Sequence, residues 1–401
     1  MADEIPNPCN GEVNLTDPAT ARCPQPVYAR LRAECPVARA SLFGTPVISR
    51  YQDVRWALRH PEIFSSEMDM HMALGTERPM IPQQVDPPRQ TRYRKLLDPL
   101  FSRPRMAELE PAIRKHAGEL IERFVDDGEC EFNAAFAVPL PCSAFLTLLG
   151  LPLDDLDYFL GLKDGIIRPE TKDGVTLEDA PRVRSETGKQ IYAYFEAALD
   201  ERAKRPREDL LSFLLAAKIK GEELARTEIL DICFLLLLAG LDTVTATLGC
   251  NTAYLAANPE PRARIAQDPG LADAAVEELL RWESPVTGVP RLLKRNVTIA
   301  DVELEAGQLV MLLLGAADTD EQEFADAERV DFGRSRNRHL AFGAGPHRCL
   351  GSHLARMELR VAMQEWHRRI PDYAIQPGET PRYSAGIREV MYLPLVWEKA
   401  S

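Results

Sequence analysis

His339-Leu340-Ala341-Phe342-Gly343-Ala344-Gly345-Pro346-His347-Arg348-Cys349-Leu350-Gly351 is the stretch on which the reading of this chain turns. Its glycines and proline make it a loop, and from Ser352 the pattern becomes helical, with Leu354, Met357, Leu359, Val361 and Met363 among polar residues. A thiolate at a helix N-terminus is held in its charged form by the helix dipole and by backbone donors. Gly343 and Gly345 let main-chain N–H groups approach that sulfur. Phe342 can cover it with a flat apolar face, and His347 and Arg348 add positive charge beside it. The residues point to a cysteine that is a ligand or a nucleophile.

A buried structural thiol would need none of the surrounding glycines. Zinc could recruit His347, Cys349 and His353, but a structural site wants four closed ligands, and no C-x-x-C or other partner cluster stands here. A nucleophile would need an activating base and an oxyanion site, for which the chain offers no recognisable set. The remaining reading is an axial thiolate on haem iron, which pushes electron density toward the metal and favours O–O cleavage. The run FGAGPHRCLG, Phe342 to Gly351, resembles the haem-binding signature F-G-x-G-x-H-x-C-x-G of the cytochrome P-450 monooxygenases. That resemblance implies a mainly α fold with small β-sheets (α+β). It implies haem b (iron protoporphyrin IX) between a long central helix and the cysteine loop, with Cys349 on the iron. Phe342, Gly343, His347 and Gly351 follow as cofactor contacts.

The 401 residues are 45% hydrophobic and 27% charged, enough for a substantial core, and nothing marks a linker, repeat or low-complexity run. One domain over 1–401 is expected. A net charge of −13 argues against nucleic acid as a partner. The stretch Met1 to Pro8 carries acids and prolines and no apolar h-region, so neither signal peptide nor anchor is expected. The longest apolar run, Ile232 to Leu241, is half of what a bilayer needs. The cysteines, Cys9, Cys23, Cys35, Cys130, Cys142, Cys233, Cys250 and Cys349, show no framework spacing, which suits a reducing cytosol. A cytoplasmic protein without a membrane partner is expected.

Along the chain, Pro26 to Glu34 reads as a helix. Pro36 to Leu42 and Pro46 to Arg50 read as strands joined at Gly44, and Tyr51 to His60 as a helix again. Ser65 to Val85 lacks periodicity and is rich in methionine (Met68, Met70, Met72, Met80), either a surface loop or an adaptable apolar wall. The family places a substrate roof there. Asp86-Pro87-Pro88 starts a basic helix. Against the family pattern D-P-P-x-H-x-x-x-R, Gln90 stands where histidine is common, and Arg94 matches an arginine that pairs with a haem propionate. Residues 106 to 200 read as mostly helical, broken at Asp126-Asp127-Gly128 and Pro139-Leu140-Pro141. Gly161 to Pro181, with Lys163, Asp164, Gly165, Lys172, Asp173 and Gly174, reads as a polar break where the family has a lid. Asp200 to Asp209 reads as a surface turn.

Ile229 to Ala256 has the length and apolarity of a central helix, yet Gly240, Asp242 and Thr243 break its apolar rule. A helical glycine costs about 1 kcal/mol relative to alanine. A core aspartate must be paired or hydrogen-bonded, and threonine can bond back to a carbonyl and open the helix. Alone, the pair could be a solvent-facing acid and a bland threonine. Ala239, Gly240, Asp242 and Thr243 match the family pattern [AG]-G-x-[DE]-T, which implies that Asp242 relays protons and Thr243 hydrogen-bonds at the oxygen site. Glu278 and Arg281, spaced i, i+3, read alone as a surface pair. By resemblance they are the buried E-x-x-R of the scaffold, with Arg329 as its third member and Arg334 as a rival. Arg291 matches a propionate arginine. Val297 to Ala300 and Leu309 to Leu314 fit small strands.

The C-terminal segment, Glu365-Trp366-His367-Arg368-Arg369-Ile370-Pro371-Asp372-Tyr373 and later Tyr392 to Trp397, resembles the bacterial camphor-hydroxylating subgroup. The implied reaction inserts one atom of O2 into a C–H bond of a small, mostly apolar molecule: a terpenoid, norisoprenoid or aromatic. Implied pocket positions are Met80, Gln83, Leu235, Leu238, Ala239, Thr287, Val289 and Ile387. Arg78 stands where that subgroup binds a ketone with tyrosine. With Arg388 it opens the alternative of a carboxylate-bearing aromatic substrate. Electrons must come from outside, from a 2Fe–2S ferredoxin and its reductase, docking on Arg89, Arg92, Lys95, Arg103, Arg105, Arg348, Arg356 and Arg360. A peroxide-using haem-thiolate enzyme would typically lack the acid–threonine pair, and a haem sensor would need a signalling module.

Overall fold

The computed structural model describes residues 13–41, 44–68, 74–169, 175–176, 178–384 and 387–399. Met70, Met72, Lys172, Asp173, Gly174, Cys9, Leu42 and the stretch Met1 to Pro8 lie outside the described residues. The chain gathers into two compact units: 1–65, 103–137 and 243–401 form one, 66–102 and 138–242 the other. Each unit is assembled from separated stretches, so no linker composition marks them.

In the first unit, a five-stranded sheet has the order Val37–Arg39, Pro46–Ile48, Leu309–Leu312, Val289–Leu293, Phe64–Ser65. Val37 pairs with Ile48 and Ala38 with Val47, so the expected hairpin forms. Ile48, Val310, Leu312 and Leu314 are fully or nearly fully buried beneath it, with Val54 and Leu58 of the Tyr51–Leu58 helix. A second core joins the Arg103–Ile121 and Ser352–Arg369 helices to an aromatic cluster. There the Trp366 ring centroid lies 4.8 Å from that of Phe132, and Phe124, Phe136 and Tyr373 ring it. Ion pairs lock the same two helices. Arg114 bridges Glu110 and Glu365 at 2.8 Å each, and Arg360 reaches Glu110 at 2.6 Å.

The second unit packs the Leu156–Ile167 helix on the Ala180–Lys204 helix through Phe159, Tyr194 and Phe195. The segments Arg89–Leu97 and Pro139–Leu149 are helices as well. Pro139 and Pro141 do not break the chain; they start a helix, where a missing N–H costs nothing. Gly161 to Gly165 likewise belong to a helix, and Lys163 is buried, so the expected break begins only after Ile167. The Asp200 to Asp209 turn is half helix, since Ala180–Lys204 runs on through Arg202, which is 2% exposed and bonded to Asp209 and the Gly150 carbonyl. Tertiary partners rescued these polar stretches from solvent.

The long helix spans Arg226–Ala257, through both expected ends. It is the one helix among the described residues long and apolar enough to cross a bilayer, contrary to the shorter run read from sequence, and 78% of its most apolar window is buried inside the protein. It stays α-helical past Gly240, Asp242 and Thr243. The reason for Gly240 is contact: a Cβ there would lie 2.3 Å from the Phe145 ring. Cys23, Cys130, Cys142, Cys233, Cys250 and Cys349 form no disulfide, whereas Cys35 is disulfide-bonded. Scattered sequence spacing does not report which cysteines the fold brings together.

Candidate active site

The cysteine loop is built by backbone bonds and close packing. The Cys349 amide donates to the Phe342 carbonyl at 2.8 Å, and the Gly343 amide to the Leu340 carbonyl at 2.6 Å. Gly345 has φ +67°, and a Cβ there would meet the Leu58 carbonyl at 2.3 Å, so only glycine lets the loop lie against that helix end. Gly343 (φ +65°) is a turn residue whose added Cβ would find nothing nearer than 3.9 Å. Gly351 caps the Ser352–Arg369 helix, so the cysteine precedes a helix N-terminus as read from sequence. Cys349 is exposed, while Cys142, Cys233 and Cys250 are buried. Burial pushes the Cys233 and Cys250 thiols up, which leaves them inert. An open thiol on a glycine cradle ahead of a helix fits a haem ligand. His347 and Phe342 are half-buried beside it.

Behind the loop, Glu278 and Arg281 are almost completely buried and bonded at 2.8 and 3.0 Å. The third member is Arg334, not Arg329: its Nε reaches both Glu278 oxygens at 3.1 and 3.0 Å. Arg329 contributes its carbonyl instead, accepting from Arg281 and Arg334 at 3.0 Å each. Arg334 lies in a loop without periodicity, so spacing could not favour it. The Asn337 amide and the Asp331 N–H, which sequence reading missed, complete the Glu278 cage. Asp318, also missed, is fully buried, accepts from the Leu340 amide and from Ser284 Oγ (2.8 Å), and is pushed up to about 6 by burial. Arg291 is buried on the Val289–Leu293 strand, where Nη1 donates to the Pro290 carbonyl. Thr287, Val289 and Ile387 are half-buried in the same unit.

In the other unit, Asp242 is fully buried on the long helix. Arg168 grips both its oxygens, at 2.9 and 3.1 Å, and Lys163 Nζ lies 3.4 Å away. Asp242 is therefore the paired core acid that burial demands. Its partners come from the Leu156–Ile167 helix and the residue capping it, where sequence suggested a solvated break. Leu235 and Leu238 are half-buried and Ala239 is exposed, although most of their helix is buried. With half-buried Thr243, where the first unit resumes on the same helix, they recur at i, i+3, i+4, i+8. The Thr243 carbonyl accepts from Thr247 Oγ1 at 2.7 Å.

Met80 is 3% exposed, and its amide donates to Gln84 Oε1 at 2.8 Å. Gln83 is exposed, and its neighbour Gln84 is buried. Gln90 is buried, and Arg94 pairs with Asp98 at 2.8 Å. Arg78 is held by Asp231 at 3.0 Å and stacks on Tyr192, while buried Arg388 is held by Glu283 and the Ala21 carbonyl. Both guanidinium groups have an acceptor of their own, and the argument for a substrate carboxylate from unpaired arginines falls.

A cysteine loop of this build, with a caged Glu–Arg pair behind it, defines a haem-thiolate protein. The profile described as Cytochrome P450 matches residues 170–366. The chain is 35% identical to the probable cytochrome P450 127A1 of Sinorhizobium fredii, over 84% of this chain and 80% of that one. It is 33% identical to the mycinamicin IV hydroxylase/epoxidase of Micromonospora griseorubida, over 92% and 94%. Among solved structures, cytochrome P450 CYP109Q5 from Chondromyces apiculatus superposes with a TM-score of 0.87 at 33% identity, covering 97% of this chain and 99% of that one. This chain belongs to the cytochrome P450 family: it is a monooxygenase, and its cofactor is haem b. These relatives are other bacterial members of the family than the camphor-hydroxylating subgroup.

Proposed function

We propose that this monooxygenase hydroxylates a small, mostly apolar molecule of the terpenoid, norisoprenoid or aromatic kind, in the cytoplasm, as one functional domain over 1–401. The observation that carries the proposal is the partly exposed series of Leu235, Leu238, Ala239 and Thr243 on one helix, apolar but for one hydroxyl, beside the ion-paired Asp242. Relatives named vitamin D(3) 25-hydroxylase and steroid C26-monooxygenase support an apolar substrate class. Met80, Thr287, Val289 and Ile387 are the other proposed substrate contacts. Kinship with the camphor-hydroxylating subgroup stands on the C-terminal segment alone.

In this proposal Cys349 supplies the iron ligand, and Arg94, Gln90, Arg291 and His347 hold the propionates. When bound, haem b supplies dioxygen activation at a thiolate-ligated iron. The chain's own work is proton handling. Asp242, paired with Arg168 and Lys163, is the acid that relays a proton along the helix. Thr243 then positions that proton through its hydroxyl. Leu235 and Leu238 exclude water from the reacting face.

Electrons are proposed to come from a 2Fe–2S ferredoxin with its reductase. Arg92, Arg105, Arg356 and Arg360 have acidic partners of their own, which weakens the patch expected from sequence. Arg103, Arg348 and Arg356 still crowd His353, whose pKa is lowered by burial and then by these three charges. Turnover with ferredoxin is expected to fall as salt rises; indifference to ionic strength would count against the patch. The main test is a reduced-plus-CO spectrum followed by a ligand screen for spin-state shifts and product analysis. Shifts with apolar ligands and a hydroxylated product support the proposal; shifts confined to carboxylates overturn the substrate class. Unchanged coupling of oxygen consumption to product in Thr243→Ala would overturn the proton path.

A further inference from the structure

We propose that Glu277 is a positioning residue for the cysteine loop, acting through His339 and Arg356 on Phe342. The inference rests on reading Cys349 as the haem thiolate. Glu277 sits next to the buried Glu278 on the Ala272–Glu283 helix but serves another set of groups. One oxygen accepts from Arg356 Nε at 2.5 Å; the other accepts from Arg356 Nη2 at 2.9 Å and from His339 Nε2 at 3.1 Å. The direction of the histidine bond follows from its other nitrogen. The Ala341 amide donates to His339 Nδ1 at 3.3 Å, so Nε2 carries the proton and donates to Glu277.

His339 precedes the loop and Arg356 follows it, so one carboxylate ties the two flanks together. What they enclose is the Phe342 ring. The Arg356 guanidinium lies 4.3 Å from its centroid, and the His339 ring 5.9 Å from it at a 46° tilt. Phe342 is also the residue whose carbonyl receives the Cys349 amide, so a displaced Phe342 displaces the cysteine backbone. Burial alone would raise the Glu277 pKa; the bonds from His339 and Arg356 outweigh it and hold the carboxyl at about 2. The anion is thus present at every working pH. Glutamine keeps the shape but must turn an NH2 toward one of two donors, breaking that contact.

The test compares holoprotein carrying Glu277→Gln with wild type and with Glu110→Gln. Glu110 is an equally ion-paired carboxylate in the same unit, bound to Arg360 and Arg114 away from the loop. Measured are the haem reduction potential, the rate at which the reduced-CO thiolate band is lost, and the alkylation rate of Cys349 in apoprotein. Loss of a charge-assisted bond predicts about tenfold faster loss of the thiolate band and a shifted potential in Glu277→Gln. Glu110→Gln should show neither at a comparable melting temperature. Arg356→Lys, which keeps the charge but not the two-point grip or the flat face, should move in the same direction and serves if Glu277→Gln does not fold. Equal effects in both glutamate variants, scaling with melting temperature, overturn the inference, as does an unchanged potential and band. A wild type without any thiolate CO band overturns the reading of Cys349 itself, which separates that failure from failure of the Glu277 role.

Discussion

Replacing Arg168 by leucine removes the guanidinium that grips both oxygens of a fully buried aspartate. Taking one partner from a buried pair costs about 3–5 kcal/mol, because the other charge stays behind in a poor solvent. Lys163 remains 3.4 Å from Asp242 and retains part of the attraction, which sets the expected loss near the lower bound, about 3 kcal/mol. Asp242→Asn strands Arg168 instead, although Asp164 lies 3.5 Å from it and softens the loss. The double variant Arg168→Leu/Asp242→Asn removes both charges together, so its cost should fall short of the sum of the singles by about 2 kcal/mol. Denaturant unfolding of the holoprotein followed by circular dichroism gives these numbers. Product formed per oxygen consumed and the solvent isotope effect report whether the acid still passes protons. The reasoning fails if Arg168→Leu lies within about 0.5 kcal/mol of wild type, or if the two single variants are additive.

Gly240→Ala should destabilise by about 1–3 kcal/mol despite its better helix propensity, since the new methyl enters the Phe145 ring; a second change, Phe145→Leu, should recover part of it in the same unfolding assay. Arg334→Ala should destabilise by about 1–3 kcal/mol, since Arg281, Asn337 and the Asp331 amide still hold buried Glu278, whereas Arg329→Ala, whose carbonyl does the bonding, should stay within about 0.5 kcal/mol. Acid titration of stability should show two opposed windows. Glu365 has its pKa raised by burial but lowered further by Arg368, Arg369 and Arg114, to about 2 from 4.5, so its contribution is present above 4.5 and lost as pH falls toward 2. Asp318 is raised by burial to about 6 from 3.8, so its contribution is present below 3.8 and lost as pH rises through 6. Glu365→Gln should flatten the first window and Asp318→Asn the second; unchanged slopes would refute the assignments.

The features legible in the chain were those whose cause is local. A cysteine on a glycine loop ahead of a helical pattern needs only backbone rules, and the Ser352–Arg369 helix starts where the sequence puts it. The long apolar helix and the Val37–Ile48 hairpin follow from periodicity and turn residues. Partners were another matter. Arg334 rather than Arg329 reaches Glu278, because an irregular loop brings its Nε within 3.1 Å. Lys163 and Arg168, read as a solvated break, meet Asp242 from 74 residues away in the case of Arg168. Arg78 and Arg388, which looked like anchors for a substrate anion, are satisfied by Asp231 and Glu283. Residue types and spacing therefore determine which chemistry this protein carries, since a thiol, an acid and a hydroxyl keep their character wherever they lie. Which charges neutralise one another depends on side chains far apart in the chain meeting where water is excluded, and only tertiary packing decides that.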